Sequence, residues 1–93
     1  MRIYKYELRM IGLNQIKLPA GANVFSVGLD PADRLCIWAL VDPEETKEDV
    51  REFMVARTGW DLQDELSKHL SANFLGTVRQ QPYMWHVWEV FQW

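Results

Sequence analysis

Apolar and polar residues alternate over much of this 93-residue chain, and a period of two is typical of strands that bury one face. Residues 2–11, 23–29 and 50–57 follow this pattern. A turn at Gly12-Leu13-Asn14 is predicted to follow the first of these strands. It would join that strand to residues 15–18 in a hairpin.

Two further segments are apolar on both faces. Leu35–Val41 is an uncharged, mostly apolar run bounded by aspartates, and such a run predicts a strand buried on both sides. We expect it to be the central strand and to pair antiparallel with residues 23–29. Tyr83–Phe91 also has apolar residues on both faces, so we expect it near the middle of the sheet or with its outer face against a partner.

A period of four replaces the alternation after the turn at Thr58-Gly59. The residues that recur at this spacing form one apolar stripe: Leu62, Leu66, Leu70 and Phe74. The stripe predicts one amphipathic helix that starts near Asp61 and lies across the sheet. Lys68 and His69 follow the acidic first turn, which suits the helix dipole, and His69 is expected in solvent.

Length and composition fit one small globular domain spanning residues 1–93. Hydrophobic residues make up 48% of the chain and charged residues 25%, as in an ordinary soluble domain. With the element pattern they predict an α+β fold. It would be a small antiparallel sheet or partly open barrel of about six or seven strands, with one amphipathic helix packed on it.

The charge and the single cysteine restrict the partners and the compartment. A net charge of −3 disfavours nucleic-acid binding, which requires many phosphates to be neutralised. No apolar run approaches the ~20 residues of a membrane span, and the first residues have no apolar core of signal-peptide length. Cys36 lies inside an apolar run, where a reduced thiol fits a cytoplasmic protein. We therefore expect no membrane association and a cytoplasmic location.

Residue types that carry catalysis are sparse and do not cluster in the sequence. His69, His86 and Cys36 lack the short spacing of metal ligands, and there is no glycine-rich phosphate loop or nucleophile motif. His86 lies in an aromatic strand, where a structural hydrogen bond is the more common role. We expect a binding protein, not an enzyme, with no catalytic residues, no metal and no cofactor.

Aromatic residues are the one feature of the sequence that indicates binding. Five tryptophans are more than one small core needs, and rigid aromatic side chains are enriched at contact sites. One interpretation is that they fill a β-rich core. The other is a binding surface, whose aromatic and cationic residues could also hold a small nucleotide. The candidates for this surface are Trp60, Trp85, Trp88, Trp93, Arg57 and Arg79.

Several strings along the chain resemble a family of small proteins from tailed phages and prophages. The most specific are LCIWALVDP at residues 35–43 and WHVWE at residues 85–89. The weaker ones are IYKY at 3–6, PAGA at 19–22, RTG at 57–59 and LGTV at 75–78. Relatives carry a Gly-Thr-Gly-His turn near residues 57–60, so Trp60 stands where they have a histidine.

The resemblance implies a phage-encoded accessory protein made in a bacterial host, and it implies no activity, since none is attached to the family. We expect a non-enzymatic protein that binds a host protein, in host takeover or counter-defence. Two alternatives stay open: a protein that sequesters a small ligand or nucleotide, and a virion or assembly component. A homo-oligomer is compatible with all three, because apolar edges and C-terminal aromatics favour being covered.

Overall fold

The computed structural model describes residues 1–9 and 11–92, and in these residues the chain forms seven strands and one short helix. The strands are β1 (Arg2–Glu7), β2 (Gly12–Pro19), β3 (Asn23–Leu29), β4 (Leu35–Val41), β5 (Glu48–Arg57), β6 (Ser71–Gln80) and β7 (Tyr83–Phe91), and the helix is α1 (Gln63–Ser67). None of the helices in this part of the chain is long and apolar enough to cross a membrane.

The strands form two antiparallel sheets. The first sheet has the order β1-β4-β3 and the second the order β2-β5-β7-β6. The predicted antiparallel pairing of β3 with β4 is confirmed. The predicted hairpin between the first two strands is wrong, because β1 pairs with β4 and β2 pairs with β5. Gly12 does not close a tight turn. It begins β2 with a φ of +97°, a conformation that glycine adopts readily, as the chain passes to the second sheet.

The core lies between the inner faces of the two sheets. Its buried residues are Leu8, Leu18, Ala22, Leu35, Ile37, Ala39, Val41, Phe53, Val55, Val78, Trp85 and Val87. β4 lies between its neighbours in the first sheet and is buried on both faces along most of its length, as predicted. β7 lies between β5 and β6 in the second sheet, so its predicted interior position is also confirmed. The two apolar strands thus meet in one core from opposite sheets.

The predicted fold class is confirmed only in its coarse features. An antiparallel architecture of seven strands is present, but it consists of two open sheets in place of one sheet or a partly open barrel. The fold is mostly β and not α+β, because the helix is only five residues long. The expectation of one sheet covered by a helix is therefore replaced by two sheets that cover each other.

The long amphipathic helix is the largest error of the sequence prediction. Only residues 63–67 are helical, and residues 71–80 form β6. Leu70 and Phe74, which the period of four placed in the core, are exposed, while His69, which was expected in solvent, is buried. Residues 71–80 pair with β7 over their whole length. These long-range hydrogen bonds override the local periodicity, which is a weak preference by comparison.

One pair of sheet edges is closed by direct packing of β3 on β6. Gly76 makes this approach possible, since a Cβ atom at that position would lie 2.9 Å from Val27 Cγ1. Each of the two strands has a break in register, between Val24 and Ser26 in β3 and between Phe74 and Gly76 in β6. Gly28 of β3 lies beneath the indole of Trp38, and its pairing with Cys36 is in regular register.

An ion pair lies at the margin of the core. The Arg51 guanidinium of β5 donates to both carboxylate oxygens of Glu89 in β7, at 2.7 and 2.9 Å, and also to the carbonyl oxygen of Ala22. Hydrogen bonding to Glu89 raises the pKa of Arg51 above its usual value. Because Glu89 is buried and Arg51 is mostly so, each charge depends on the other for its compensation.

Candidate functional site

The outer face of the second sheet is divided into a covered half and an open half. Met54, Ala56 and Val90 point away from the core and are nevertheless buried. Residues 60–70 pass over this half, and at their end the Leu70 N–H donates to the carbonyl oxygen of Phe91 at 2.8 Å. The covering is incomplete, because a cleft of about 490 Å³ remains between this segment and the sheet.

The open half is formed by β6, β7 and the end of β5. Cross-strand register places Phe74 opposite Trp88, Thr77 opposite His86 and Arg79 opposite Met84. Residues opposite each other in an antiparallel pair share a face, and Thr58 reaches the same face through its hydrogen bond to His86. We call this area the β6–β7 surface; its residues are Thr58, Phe74, Thr77, Arg79, Met84, His86 and Trp88.

Aromatic packing gives the β6–β7 surface a fixed apolar centre. The rings of Phe74 and Trp88 lie with their centroids 5.1 Å apart and their planes tilted by 58°, a favourable geometry for an aromatic pair. Phe74 is nevertheless 53% exposed, and Met84, on the far side of His86 along β7, is also exposed. The pair is therefore held in position from one side while its other side faces solvent.

His86 is held by hydroxyl groups from both neighbouring strands. Thr58 Oγ1 lies 2.7 Å from His86 Nε2, and Thr77 Oγ1 lies 3.0 Å from His86 Nδ1. A threonine hydroxyl can donate or accept, so both ring nitrogens have a partner in either tautomer. The imidazole is thus fixed in orientation beside Trp88, with ring centroids 6.4 Å apart. The structural hydrogen bond expected for His86 is made here to two threonine hydroxyl groups.

The cleft of about 490 Å³ adjoins the covered half. Its lining combines apolar residues of the sheet, Leu13 and Met54, with residues of the covering segment, Trp60, Leu62 and Glu65. Trp60 is 42% exposed at this cleft. The turn at residues 57–60, where Trp60 stands in place of a histidine of similar proteins, therefore contributes Thr58 to the β6–β7 surface and Trp60 to the cleft.

The candidate residues of the sequence do not form one surface. Trp88 and Arg79 belong to the β6–β7 surface, and Trp60 lines the cleft next to the covered half. Trp85 and Arg57 lie opposite each other on the inner side of the second sheet. Trp93 lies outside the described residues. Alternation along β7 explains the division, since Trp85 and Trp88 are separated by an odd number of positions.

Trp85 is a core residue. It is only 7% exposed, and its indole Nε1–H donates to Gln80 Oε1 at 2.7 Å. The centroid of its ring lies 5.3 Å from that of the Tyr83 ring. The Arg57 guanidinium lies over the Tyr83 ring, also 5.3 Å from the Tyr83 centroid. Trp85 therefore completes one end of the core, where a cleft of about 260 Å³ opens beside Leu8 and Arg34, while Arg57 is exposed.

Five of the seven residues of the β6–β7 surface were not among the binding candidates from the sequence: Thr58, Phe74, Thr77, Met84 and His86. Phe74 was assigned to a helix stripe, and the register break after it hides the alternation of β6. Thr77 and Met84 have no individual signal, because their contribution depends on cross-strand register with β7. The Gln81-Pro82 sequence was the one available sign, since a turn at this position brings residues 71–80 beside β7.

Neither Cys36 nor any metal-ligand group offers reactive chemistry among the described residues. Cys36 is buried, its thiol lies 3.4 Å from the carbonyl oxygen of Arg34, and burial raises its pKa. A raised thiol pKa disfavours the nucleophilic thiolate. No group of three or more His, Cys, Asp or Glu side chains in this part of the chain could hold a metal ion.

Comparison with known proteins places the chain in a family. No curated protein and no solved structure matches it. Residues 1–92 match the profile described as a domain of unknown function, DUF7352. Because the match covers nearly the whole chain, the protein belongs to the DUF7352 family.

Proposed function

We propose that the protein is a non-enzymatic accessory protein of phage origin that binds a host protein through the β6–β7 surface. The observation that carries this proposal is the Phe74–Trp88 pair on the open half of the second sheet, in which the exposed Phe74 ring is fixed 5.1 Å from the half-buried Trp88 ring. In the cytoplasm of a bacterial host, a host protein bound to this pair would lose the use of the surface with which it binds it, so its own contacts would be blocked or redirected. Host takeover and counter-defence are the processes in which such blocking is useful.

The composition of the β6–β7 surface supports a protein partner. Trp, Phe, Met and Arg are enriched in the cores of protein interfaces, and here they are Trp88, Phe74, Met84 and Arg79. His86 and its two threonines add polar groups that can exchange hydrogen bonds with a partner backbone. The rings are held before binding, so little side-chain freedom is lost on association.

The charge of the chain supports a protein partner over a nucleic acid. The net charge is −3, and Arg79 is the one cation among the seven residues that define the β6–β7 surface. A nucleic-acid surface draws most of its affinity from several cations that neutralise phosphates. Aromatic stacking without such cations favours a mixed apolar and polar protein surface.

The test compares two exposed phenylalanines on different sheets. Phe74→Ala removes the exposed ring of the β6–β7 surface, and Phe25→Ala removes a ring that is equally exposed, at 52%, on β3. Tagged variants are used to capture partners from a nuclease-treated bacterial lysate. We expect one protein to be retained by the wild type and by Phe25→Ala and to be lost with Phe74→Ala. Equal retention by both variants contradicts the proposed surface.

A small-ligand binder is the second candidate, and the cleft at Trp60 is the observation that favours it. Its volume of about 490 Å³ lies within the range of ligand sites, and an indole at its margin could stack on a base. A sequestering protein should show a higher melting temperature with one member of a nucleotide panel, because ligand binding stabilises the folded state. Trp60→Ala should abolish that increase. No shift with any nucleotide would exclude nucleotide sequestration.

A further inference from the structure

β1 is an edge strand, and within the described residues only β4 pairs with it. The Leu8 N–H donates to the Leu35 carbonyl oxygen at 2.9 Å, in register with the pairing of β1 and β4. Hydrogen-bonded and non-hydrogen-bonded pairs alternate in an antiparallel ladder. The even-numbered residues of β1 therefore direct their N–H and C=O groups toward β4. The odd-numbered residues direct theirs away from the sheet: Ile3, Lys5 and Glu7.

The other three sheet edges have features that oppose pairing with another chain. β3 and β6 each contain a break in register and pack against each other. β2 carries Lys17 and ends at Pro19. Bulges, lysines and prolines are the usual protection of an edge strand. β1 has neither a bulge nor a proline, and its lysine, Lys5, is bound to Asp30 at 2.9 Å.

β1 also exposes apolar side chains on both of its faces. Ile3, on the outer face, is 60% exposed, and Tyr4, on the face that carries the core, is 37% exposed. Single exposed apolar residues are ordinary on a protein surface. Here they accompany three unpaired backbone positions on the same short strand, so one strand added at this edge would cover all of them.

We propose that the added strand is β1 of a second copy of this chain, paired antiparallel about a two-fold axis that passes beside Tyr4. Such an axis is normal to the sheet, so paired residues share a face. Tyr4 then lies opposite Tyr4 of the second copy in a non-hydrogen-bonded pair, and Ile3 forms a hydrogen-bonded pair with Lys5. The two first sheets become one sheet of six strands.

Side-chain chemistry selects this register over its neighbours. Moving the axis to Lys5 places two lysines opposite each other and Ile3 opposite Glu7, and like charges opposite each other are unfavourable. Moving it to Ile3 leaves the last residues of β1 without a partner. With the axis at Tyr4, two aromatic rings meet, and Arg2 lies opposite Tyr6. The β6–β7 surface belongs to the other sheet, so this dimer leaves it open and does not depend on the proposed function.

Disulfide cross-linking tests the register directly. The Cα atoms of a non-hydrogen-bonded pair lie about 4.5 Å apart, within the range that a disulfide spans. Tyr4→Cys should therefore form a disulfide-linked dimer under mild oxidation, seen on a non-reducing gel. Ile3→Cys on the same strand is the matched control: it lies opposite Lys5 of the second copy, so it should form no disulfide and should run at the monomer mass on the same gel. Cys36 is buried and does not interfere. Failure of Tyr4→Cys to cross-link, or faster cross-linking of Ile3→Cys, would overturn the proposal.

The second test removes one hydrogen-bond donor from the β1 edge of each chain. Ile3→Pro deletes an N–H that points away from β4, so the β1–β4 ladder keeps its bonds, whereas Ile3→Val keeps the donor. We expect light scattering to give twice the 11.0 kDa chain mass for the wild type and Ile3→Val, and a halving for Ile3→Pro. Near-ultraviolet circular dichroism checks that Ile3→Pro is folded. A wild type that stays monomeric at high protein concentration, or a folded Ile3→Pro that stays dimeric, would refute the pairing.

Discussion

The two sheets have apolar residues on both faces of an interior strand, but their outer faces are covered differently. On the first sheet, Cys36 is fully buried between Glu7 and Gly28, its opposite neighbours, and the Trp38 indole lies over Gly28. Side chains of that sheet therefore cover the outer face of β4 around Cys36. On the second sheet, residues 60–70 cover one half, and the β6–β7 surface stays open. An apolar strand face thus becomes either packing or a contact surface, depending on what lies over it.

The largest effect on stability is expected at the Arg51–Glu89 ion pair, which joins β5 and β7 of the second sheet. Glu89→Leu leaves the Arg51 guanidinium without its carboxylate in a mostly buried position. We expect the free energy of unfolding to fall by about 3 kcal/mol, because an unpaired buried charge is strongly destabilising. Urea titration followed by tryptophan fluorescence measures this loss.

The matched control for that prediction removes both charges. Glu89→Leu combined with Arg51→Met should recover most of the lost stability, since no uncompensated charge remains. A loss below about 1 kcal/mol for Glu89→Leu alone would mean that Arg51 behaves like an exposed cation. In that case the ion pair would contribute little to the stability of the core.

Alanine substitutions at two glycines, one in each sheet, should lower stability by different amounts. Gly76→Ala places a Cβ atom 2.9 Å from Val27 Cγ1, where β6 meets β3, and we expect a loss of about 2 kcal/mol from overpacking. Gly28→Ala meets Trp38 at an ordinary 3.7 Å, so its effect should be much smaller. Adding Val27→Ala to Gly76→Ala should restore stability in thermal unfolding. Equal losses at both glycines would contradict the close approach of β3 and β6.

Acid should weaken the first sheet through Asp30. Its carboxylate accepts hydrogen bonds from Lys5, from the Arg34 side chain and from two backbone N–H groups. These hydrogen bonds, above all the one from Lys5, hold the pKa of Asp30 below its usual value. The carboxylate therefore stabilises the fold above the unfolded-state pKa of about 3.9, and this contribution is lost as the pH falls toward the folded-state pKa.

Asp30→Asn checks the origin of that acid dependence. The free energy of unfolding should vary less steeply with pH below about 4 in the variant than in the wild type. Urea titrations at several acidic pH values supply the comparison, and Asp42→Asn, in an exposed turn, is the control. An unchanged slope in Asp30→Asn would assign the acid dependence to other carboxylates.

The smallest change in stability is expected on the open half of the second sheet. Phe74→Ala should alter the free energy of unfolding by no more than about 0.5 kcal/mol, as is usual for exposed positions, and Phe25→Ala should behave alike. A loss of several kcal/mol, measured by urea titration, would show that Phe74 is packing and not a contact residue. Small stability changes with a selective loss of capture would separate binding from folding.

The strands were predictable where apolar residues alternate along the chain, or where an apolar run is bounded by polar residues. Leu35–Val41 and Tyr83–Phe91 were located at their observed bounds, because an apolar run and its polar limits are local features. The prediction failed at residues 68–74, where a leucine period of four competed with ten residues of pairing to β7. It failed again at Gly12, because glycine permits both a turn and the start of a new strand. The binding candidates divided in the same way: Trp88 was found on a surface, while Trp85 lies in the core.

The sequence by itself determined most of the extended segments, that β4 and β7 are interior strands with apolar residues on both faces, and that Cys36 is buried. These properties follow from local alternation and from the cost of exposing apolar residues. Only the tertiary structure decided that the strands divide into two sheets, that Phe74 packs on Trp88 at the outer face of the second sheet, and that β1 pairs only with β4 within the described residues. Register and sheet order depend on contacts between residues far apart in the chain, and no local pattern encodes which strand a given edge will meet.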